Sequence, residues 1–310
     1  MKKVVITGGS GFIGSHLAEE LAGRDYQVII LDNLTTGRIE NIRSFVDRKN
    51  VEFTEVSITE VGLLRNIFKD VSYVFHQAAI PGVPQSINNP IATHQVNATG
   101  TLNVLMAARD CGLKKVVYAS SSSVYGDTPT LPKTEDMIPN PQSPYAVSKL
   151  AGEYYCGVFT RVFGLPTICL RYFNVYGPRQ NPDSDYAAVI PRFITAVLSG
   201  RPPVIYGDGK QTRDFTFVRD VVKANILAAE GESTGIYNIG SGQRTSIASL
   251  AHLVAKLMGK EVIKPVHENE RTGDIRHSLA DISKAETFGY TPGFSLSEGL
   301  KLTVGKNLAI

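Results

Sequence analysis

Val4-Val5-Ile6-Thr7-Gly8-Gly9-Ser10-Gly11-Phe12-Ile13-Gly14 opens the chain with three signals in a fixed order: an apolar run, a glycine turn, and the start of a helix. The apolar run reads as a buried strand, and Ser15 to Ala22 has helical periodicity that stops at Gly23. A strand, a glycine turn and a helix N-terminus in succession suit a pyrophosphate. Gly8 and Gly11 let backbone N–H groups approach phosphate oxygens, Gly14 is expected to let the helix pack on the strand, and the helix N-terminus favours negative charge. Glycine patterns alone are weak signals; here the flanking strand and helix supply the context that the pattern needs.

The next strand, Gln27 to Leu31, ends at Asp32-Asn33. An acidic residue at this distance from the glycine turn binds adenosine ribose hydroxyls and repels a 2′-phosphate, so Asp32 argues for NAD over NADP. The plainer reading of Asp32-Asn33 is a turn at a strand end. The alternation continues with a strand at 51–56, a helix from Glu60 to Phe68 and a strand at 71–76. A loop containing Pro81 and Pro84 precedes a helix spanning roughly Pro90 to Cys111, and Val116 to Ala119 is the next strand. The expected fold is α/β: a doubly wound parallel sheet of the Rossmann type, with a smaller C-terminal α/β substrate domain. Residues 1–171 form the nucleotide domain, 214–230 return to it, and 172–310 form the smaller domain.

Strand 116–119 delivers Ser120-Ser121-Ser122-Ser123, hydroxyls at the carboxyl end of a parallel strand, where open α/β sheets bind ligands. Pro144-Tyr145-Ala146-Val147-Ser148-Lys149 then reads as the first turns of a helix. Residues four apart share a helix face, so Tyr145 and Lys149 point the same way. A tyrosine with its ordinary pKa near 10 is a poor base at neutral pH, and a neighbouring cation is expected to favour its phenolate. Such a pair is commonplace on helices by itself; the serine cluster and the glycine turn make it a candidate for taking a proton from a sugar hydroxyl.

Composition narrows the field. The 310 residues are 43% hydrophobic and 20% charged, with a formal net charge of +3, too small to argue for nucleic acid or membrane. Cys111, Cys156 and Cys169 show neither paired nor metal-type spacing, which fits a reducing compartment, and no metal site is expected. With no targeting segment and no window near ~18 apolar residues, a cytoplasmic location is expected.

Together, the glycine turn, the strand-end serines and Tyr145-x-x-x-Lys149 resemble the extended short-chain dehydrogenase/reductase superfamily, and within it the UDP-hexose 4-epimerases, nearly end to end. Leu170 to Gln180 is similar to the strand and loop that hold the UDP-sugar, Gly207 to Asp214 to a segment whose arginine reaches the nucleotide, and Arg271-Thr272-Gly273-Asp274 to a stretch meeting pyrophosphate and uridine ribose. A guanidinium matches phosphate oxygens better than an ammonium does. The resemblance implies Tyr145 as the base at the sugar O4, Lys149 on the nicotinamide ribose and lowering the tyrosine pKa, and Ser121 on O4. It implies NAD on Gly8, Gly11, Phe12, Ile13, Gly14, Asp32, Asn33, Ser57, Ile58, Asn97, Tyr145 and Lys149. Asn97 is expected as a buried polar brace near the cofactor. For the substrate it implies Pro81, Ser121, Ser122, Asn174, Ala188, Val189, Arg213, Arg271, Asp274 and Ser278.

Two departures stand out. Ser57-Ile58 replaces an aspartate that binds adenine in relatives, and Pro81 stands where many glucose/galactose epimerases have lysine. Related 4,6-dehydratases carry Asp-Glu where Ser122 and Ser123 stand, which disfavours elimination. Reversible C4 epimerisation of UDP-GlcNAc/UDP-GalNAc and UDP-Glc/UDP-Gal is the reading that remains, because small Ser278 leaves room for an acetamido group. UDP-glucuronate 4-epimerisation stays open, with no cation for its carboxylate identified, and a non-catalytic NAD or nucleotide-sugar sensor is the alternative of another class. The resemblance also implies a homodimer through helices near 90–111 and 145–163.

Overall fold

Residues that alternate strand and helix along the first half close into a seven-stranded parallel sheet in the computed structural model, which describes residues 1–181, 188–270 and 275–308, with side chains as far as 305. In chain order the first half contains β1 (Lys2–Thr7), α1 (Phe12–Ala22), β2 (Tyr26–Asp32), β3 (Val51–Glu55), α2 (Val61–Ile67), β4 (Tyr73–His76), α3 (Val83–Asn88), α4 (Pro90–His94), α5 (Gly100–Asp110), β5 (Lys115–Ser121), α6 (Pro144–Phe163) and β6 (Thr167–Tyr172). The second half adds β7 (Val175–Tyr176), α7 (Val189–Leu198), β8 (Val204–Tyr206), β9 (Thr212–Arg213), β10 (Thr216–Phe217), α8 (Val218–Glu230), β11 (Gly235–Ile239), β12 (Thr245–Ser246), α9 (Ile247–Leu257), β13 (Val266–Glu268), α10 (Ser283–Glu286) and α11 (Leu296–Leu308).

The strand order is β11-β6-β5-β4-β1-β2-β3. Chain direction across the sheet reverses between β1 and β4, and there the carboxyl ends of the strands open a crevice for a ligand. The glycine turn after β1, Asp32 at the end of β2 and the serines ending β5 all lie on that edge. Both sheet faces are covered, as parallel strands require. Val4, Ile6, Val28 and Ile30 pack toward one face with Leu17, Leu21 and Ile226, while Val5, Ile29 and Val74 face Leu64, Val104 and Phe159. Each such side chain, fully buried, stabilises by roughly 1.5–3 kcal/mol.

α6 has clear local causes. The Ser143 hydroxyl accepts the Ala146 N–H at 3.2 Å, Pro144 occupies the first turn, and Gly164 stops the helix in the left-handed region at φ 68°. The second lobe is built differently, from two- and three-residue strand pairs (β7 with β10, β8 with β13, β9 with β12) under α7, α9 and α11.

Several boundaries differ from those expected. α8 packs on α1 and β5, and β11 joins the sheet beside β6. The Pro81–Pro84 loop contains a short helix, α3, because proline is tolerated in a first turn. The long helix after it is interrupted by a π-turn at Gln95–Thr99 between α4 and α5.

Candidate active site

The β5–α6 wall holds the candidate acid–base groups. Ser121 ends β5; its hydroxyl accepts the Ser123 N–H at 3.2 Å, and it stands near enough to the Tyr145 phenol to lower that group's pKa. Lys149 is buried; its Nζ lies 5.9 Å from the Tyr145 ring centroid and donates to the Ala119 carbonyl at 2.9 Å. Burial lowers the Lys149 pKa to about 8. Burial raises the Tyr145 phenol, and Ser121 opposes that rise. Desolvation dominates the phenol, while the ammonium is held in place by a backbone carbonyl.

Asn97 comes from the π-turn, a feature that often marks functional positions in helices. It is 1% exposed; its Oδ1 accepts Ile80 N–H at 2.8 Å, and its Nδ2 donates to Ile80 O at 3.0 Å and Ser148 Oγ at 3.1 Å. Ser148 in turn donates to Tyr145 O at 2.7 Å. Asn97 thus braces the first turn of α6 against the segment after β4. Below it, Thr101 donates to Asn97 O at 2.6 Å. His76 Nε2 therefore donates to Thr101 Oγ1 (2.9 Å), and Nδ1 accepts from Thr7 Oγ1 (2.7 Å). Burial holds His76 neutral, with its pKa lowered to about 3.

The glycine turn fits a dinucleotide. Gly8 has φ +69°, and a Cβ there would lie 2.6 Å from Ala78 N, so only glycine permits this turn. Gly14 lets α1 approach the turn that ends β1, since a Cβ would lie 2.1 Å from Gly8 O. The N-terminus of α1 has no side-chain cap and no acidic residue in its first turn, and the hydroxyl of buried Ser10 has no hydrogen-bond partner. Unsatisfied donors at a helix N-terminus suit a pyrophosphate. Phe12 and Ile13, in that first turn, pack against the core of the second lobe.

Asp32 accepts Ser10 N–H and Leu34 N–H, both at 2.9 Å, and burial raises its pKa against those bonds. Gly37 sits over this carboxylate, where a Cβ would lie 2.7 Å from either oxygen. Asn33 turns back to accept Thr35 N–H at 3.2 Å. Ser57 forms its own turn, accepting Thr59 N–H at 3.2 Å. The Ile58 side chain is buried in the core, with a Cβ on Gly100 only 2.6 Å from its Cδ1, which leaves its backbone to face the crevice side.

The opposite wall comes from the second lobe. Asn174 donates to Asp214 O at 3.2 Å, and Arg213 Nη1 donates to Thr212 O at 3.0 Å. Ser278, 8% exposed, hydrogen-bonds Thr212 O through its N–H at 3.0 Å. Ala188 caps α7 and Val189 begins it, Pro81 is exposed before α3, and Ser122 is half-buried after β5. Arg271 and Asp274 lie outside the described residues.

Sequence reading missed the polar group beneath this site. Arg171 and Glu153 form a fully buried bidentate pair (Nε–Oε1 2.8 Å, Nη2–Oε2 2.7 Å), and Ser120 donates to Glu153 at 2.5 Å. The available signal was Glu153 standing one turn beyond Lys149; nothing local pointed to its partner across the sheet. Among the described residues no cluster of His, Cys, Asp or Glu can hold a metal ion, and no helix is long and apolar enough to cross a membrane.

A nucleotide crevice joined to a Ser–Tyr–Lys wall defines an NAD-dependent extended short-chain dehydrogenase/reductase. Residues 4–240 match the family described as the NAD dependent epimerase/dehydratase family, and the chain belongs to it. A putative UDP-glucose 4-epimerase of Methanocaldococcus jannaschii is 42% identical, with 97% of each chain covered. The UDP-N-acetylglucosamine 4-epimerase of Methanobrevibacter ruminantium, solved with UDP-N-acetylmuramic acid, superposes with a TM-score of 0.96 at 41% identity over 99% of this chain and 98% of that one. The UDP-glucose 4-epimerase of Thermotoga maritima, solved with UDP-glucose, gives 0.94 at 38% identity over 99% of both chains. These relatives are UDP-sugar 4-epimerases, which are isomerases.

Proposed function

We propose that this protein catalyses reversible C4 epimerisation of UDP-hexoses and accepts both UDP-GlcNAc/UDP-GalNAc and UDP-Glc/UDP-Gal. The observation that carries the reading is the convergence of Ser121, at the end of β5, with the Tyr145 phenol, and the Lys149 ammonium 5.9 Å from the centroid of that ring. Bound NAD supplies a hydride acceptor and donor for the sugar C4, so one cofactor serves both half-reactions. Gly8, Gly11, Phe12, Ile13 and Gly14 would hold its pyrophosphate, Asp32 and Asn33 its adenosine ribose, Ser57 and Ile58 (through backbone) its adenine side, and Tyr145 and Lys149 its nicotinamide ribose.

Tyr145 takes the proton from O4 as C4 is oxidised and returns it when C4 is reduced on the other face. Ser121 holds O4 and, with Ser122 and Pro81, lines the near side of the sugar. The buried Lys149 charge favours the phenolate once substrate and cofactor are in place. Asn174, Ala188, Val189, Arg213, Arg271 and Asp274 bind the UDP moiety, and Arg213 and Arg271 match phosphate oxygens. Ser278 leaves space at C2, so Ser278→Tyr is expected to abolish turnover of the acetylated sugars and spare UDP-Glc; equal loss of both sinks the gate.

The decisive experiment adds no NAD. Purified protein is incubated separately with UDP-GlcNAc, UDP-Glc and UDP-GlcA, and the C4 configuration is read by proton NMR. Conversion of the first two is expected. Turnover of UDP-GlcA alone selects the uronate reading, and conversion of none, with or without NAD, favours a sensor. The three free cysteines fit a reducing, cytoplasmic setting.

A second copy of the chain is the proposed partner. Val147, Tyr154, Val158 and Val162 form an exposed apolar stripe on α6, beside exposed Ile87 and Ile91. Light scattering is expected to give a dimer for the parent and a monomer for Val162→Glu; a monomeric parent refutes this.

A further inference from the structure

The wall that faces the sugar has no long element in it. Residues 276–278 hang on β9 through Thr212, whose N–H donates to Arg276 O at 3.0 Å and whose carbonyl accepts Ser278 N–H at 3.0 Å. On the far side Lys133 N–H donates to Leu279 O at 2.8 Å, and Asp281 N–H donates to Lys133 O at 2.9 Å. β9 is itself two residues long, so Thr212 does not anchor this segment to the parallel sheet; at its far end the Asn238 amide on β11 donates to Lys133 O at 2.9 Å and to Asp281 O at 3.1 Å.

Asp214 makes the tie nearer to Ser278. It follows β9 directly and is 0% exposed. Its Oδ1 accepts Ser241 N–H and Ser241 Oγ–H, both at 2.7 Å, and its Oδ2 accepts Gly242 N–H at 3.1 Å and Ala280 N–H at 3.2 Å. Ser241 and Gly242 lie just beyond the carboxyl end of β11, the outer strand of the sheet, and Ala280 is two residues past Ser278. The Asp214 carbonyl also accepts from Asn174. The fit is close: a Cβ on Gly240 would lie 2.5 Å from the Ala280 side chain and 2.8 Å from Asp214 Oδ2. Four donors on one buried carboxylate leave it no spare capacity, so losing one oxygen leaves N–H groups unpaired.

We infer that Asp214 is the positioning residue that fixes how deep the sugar-facing wall lies, and through Ser278 sets how well a C2-substituted sugar is held relative to an unsubstituted one. The inference rests on reading 276–281 as that wall. A larger sugar makes more contact with the wall and loses more when it moves. Asp214 bonds none of Ser121, Tyr145 and Lys149, so the effect belongs in binding and not in kcat.

The test uses NAD-loaded protein and isothermal titration with UDP, UDP-Glc and UDP-GlcNAc, together with KM and kcat for both sugars. Asp214→Asn keeps the shape of the side chain but replaces one acceptor by a donor facing N–H groups. It is expected to weaken UDP-GlcNAc about five- to tenfold more than UDP-Glc, the scale of one lost buried hydrogen bond, with NAD content, UDP affinity and kcat near the parent's. Equal weakening of both sugars, or a loss confined to kcat, overturns the assignment. Should Asp214→Asn not fold, Ser241→Ala, which removes one donor, is expected to shift the sugar ratio in the same direction by a smaller factor; an unchanged ratio is equally fatal. Ser278→Tyr is the control. If it discriminates between the sugars while Asp214→Asn does not, only the role of Asp214 fails; if it does not discriminate, the reading of the wall has failed.

Discussion

The two walls of the crevice are made in opposite ways. On the catalytic wall, Ser121, Tyr145 and Lys149 stand on a seven-residue strand and a twenty-residue helix, locked from beneath by the Arg171–Glu153 pair and from the side by Asn97. On the proposed sugar-facing wall, Arg213 and Ser278 stand on a two-residue strand and an irregular segment tied to the sheet by the Asp214 carboxylate and the Asn238 amide. Proton transfer tolerates little displacement, and the groups proposed for it sit on long packed elements. On the proposed reading, substrate choice is adjusted by small movements of a wall, and short elements permit them.

Removing the phenol oxygen tests the catalytic wall most directly. Tyr145→Phe is expected to lower kcat by about 10²–10⁴-fold, the usual contribution of a positioned general base, with thermal stability and NAD content near the parent's. Full activity in this variant would remove Tyr145 from the mechanism and move the sensor reading ahead.

The support beneath the wall comes next in size. Glu153→Ala leaves the Arg171 guanidinium buried without its carboxylate, and breaking such a pair costs about 3–5 kcal/mol. The Arg276–Asp208 pair of the opposite wall is as short, 2.7 Å, but its side chains are 45% and 40% exposed. Water screens it, and Arg276→Ala is expected to cost less than about 1 kcal/mol. Denaturant melts of the two variants should separate clearly. Similar losses would mean that burial does not distinguish the walls.

Much of the catalytic wall was legible before any coordinates. The glycine turn, the serines at the end of β5 and the spacing of Tyr145 and Lys149 are local signals, and strand–helix alternation fixes where local signals fall in a parallel sheet. Legibility ended where pairing became distant. Gly235–Ile239 carries nothing that says it will lie beside β6, and Arg171 and Glu153 meet only once β6 and α6 are packed. The π-turn at Asn97 reads as ordinary helix because its spacing departs from 3.6 for a single turn. Asp214 was the least visible, since all four of its donors come from residues 241–280.

Lys149 sharpens the comparison from the side of stability, because its charge is useful and costly at once. Burial lowers its pKa from 10.5 to about 8, and the groups around it are His76, neutral above about pH 3, and the buried phenols of Tyr118 and Tyr145, both raised. The sign follows from proton counting. Between pH 8 and 10.5 the unfolded chain holds a proton here that the folded chain has released, so stability rises with pH across that window; below pH 8 both states are charged and the full desolvation cost stands. Lys149→Met removes that cost along with the contact to the Ala119 carbonyl. It is expected to be inactive yet more stable than the parent by about 1–2 kcal/mol at pH 7, with the difference shrinking from pH 8 upward. Melting curves at pH 7 and pH 10 check this. A variant less stable at both would show that Lys149 serves the fold as well as the chemistry, and the catalytic wall would then be held together by the same charge that it presents to the substrate.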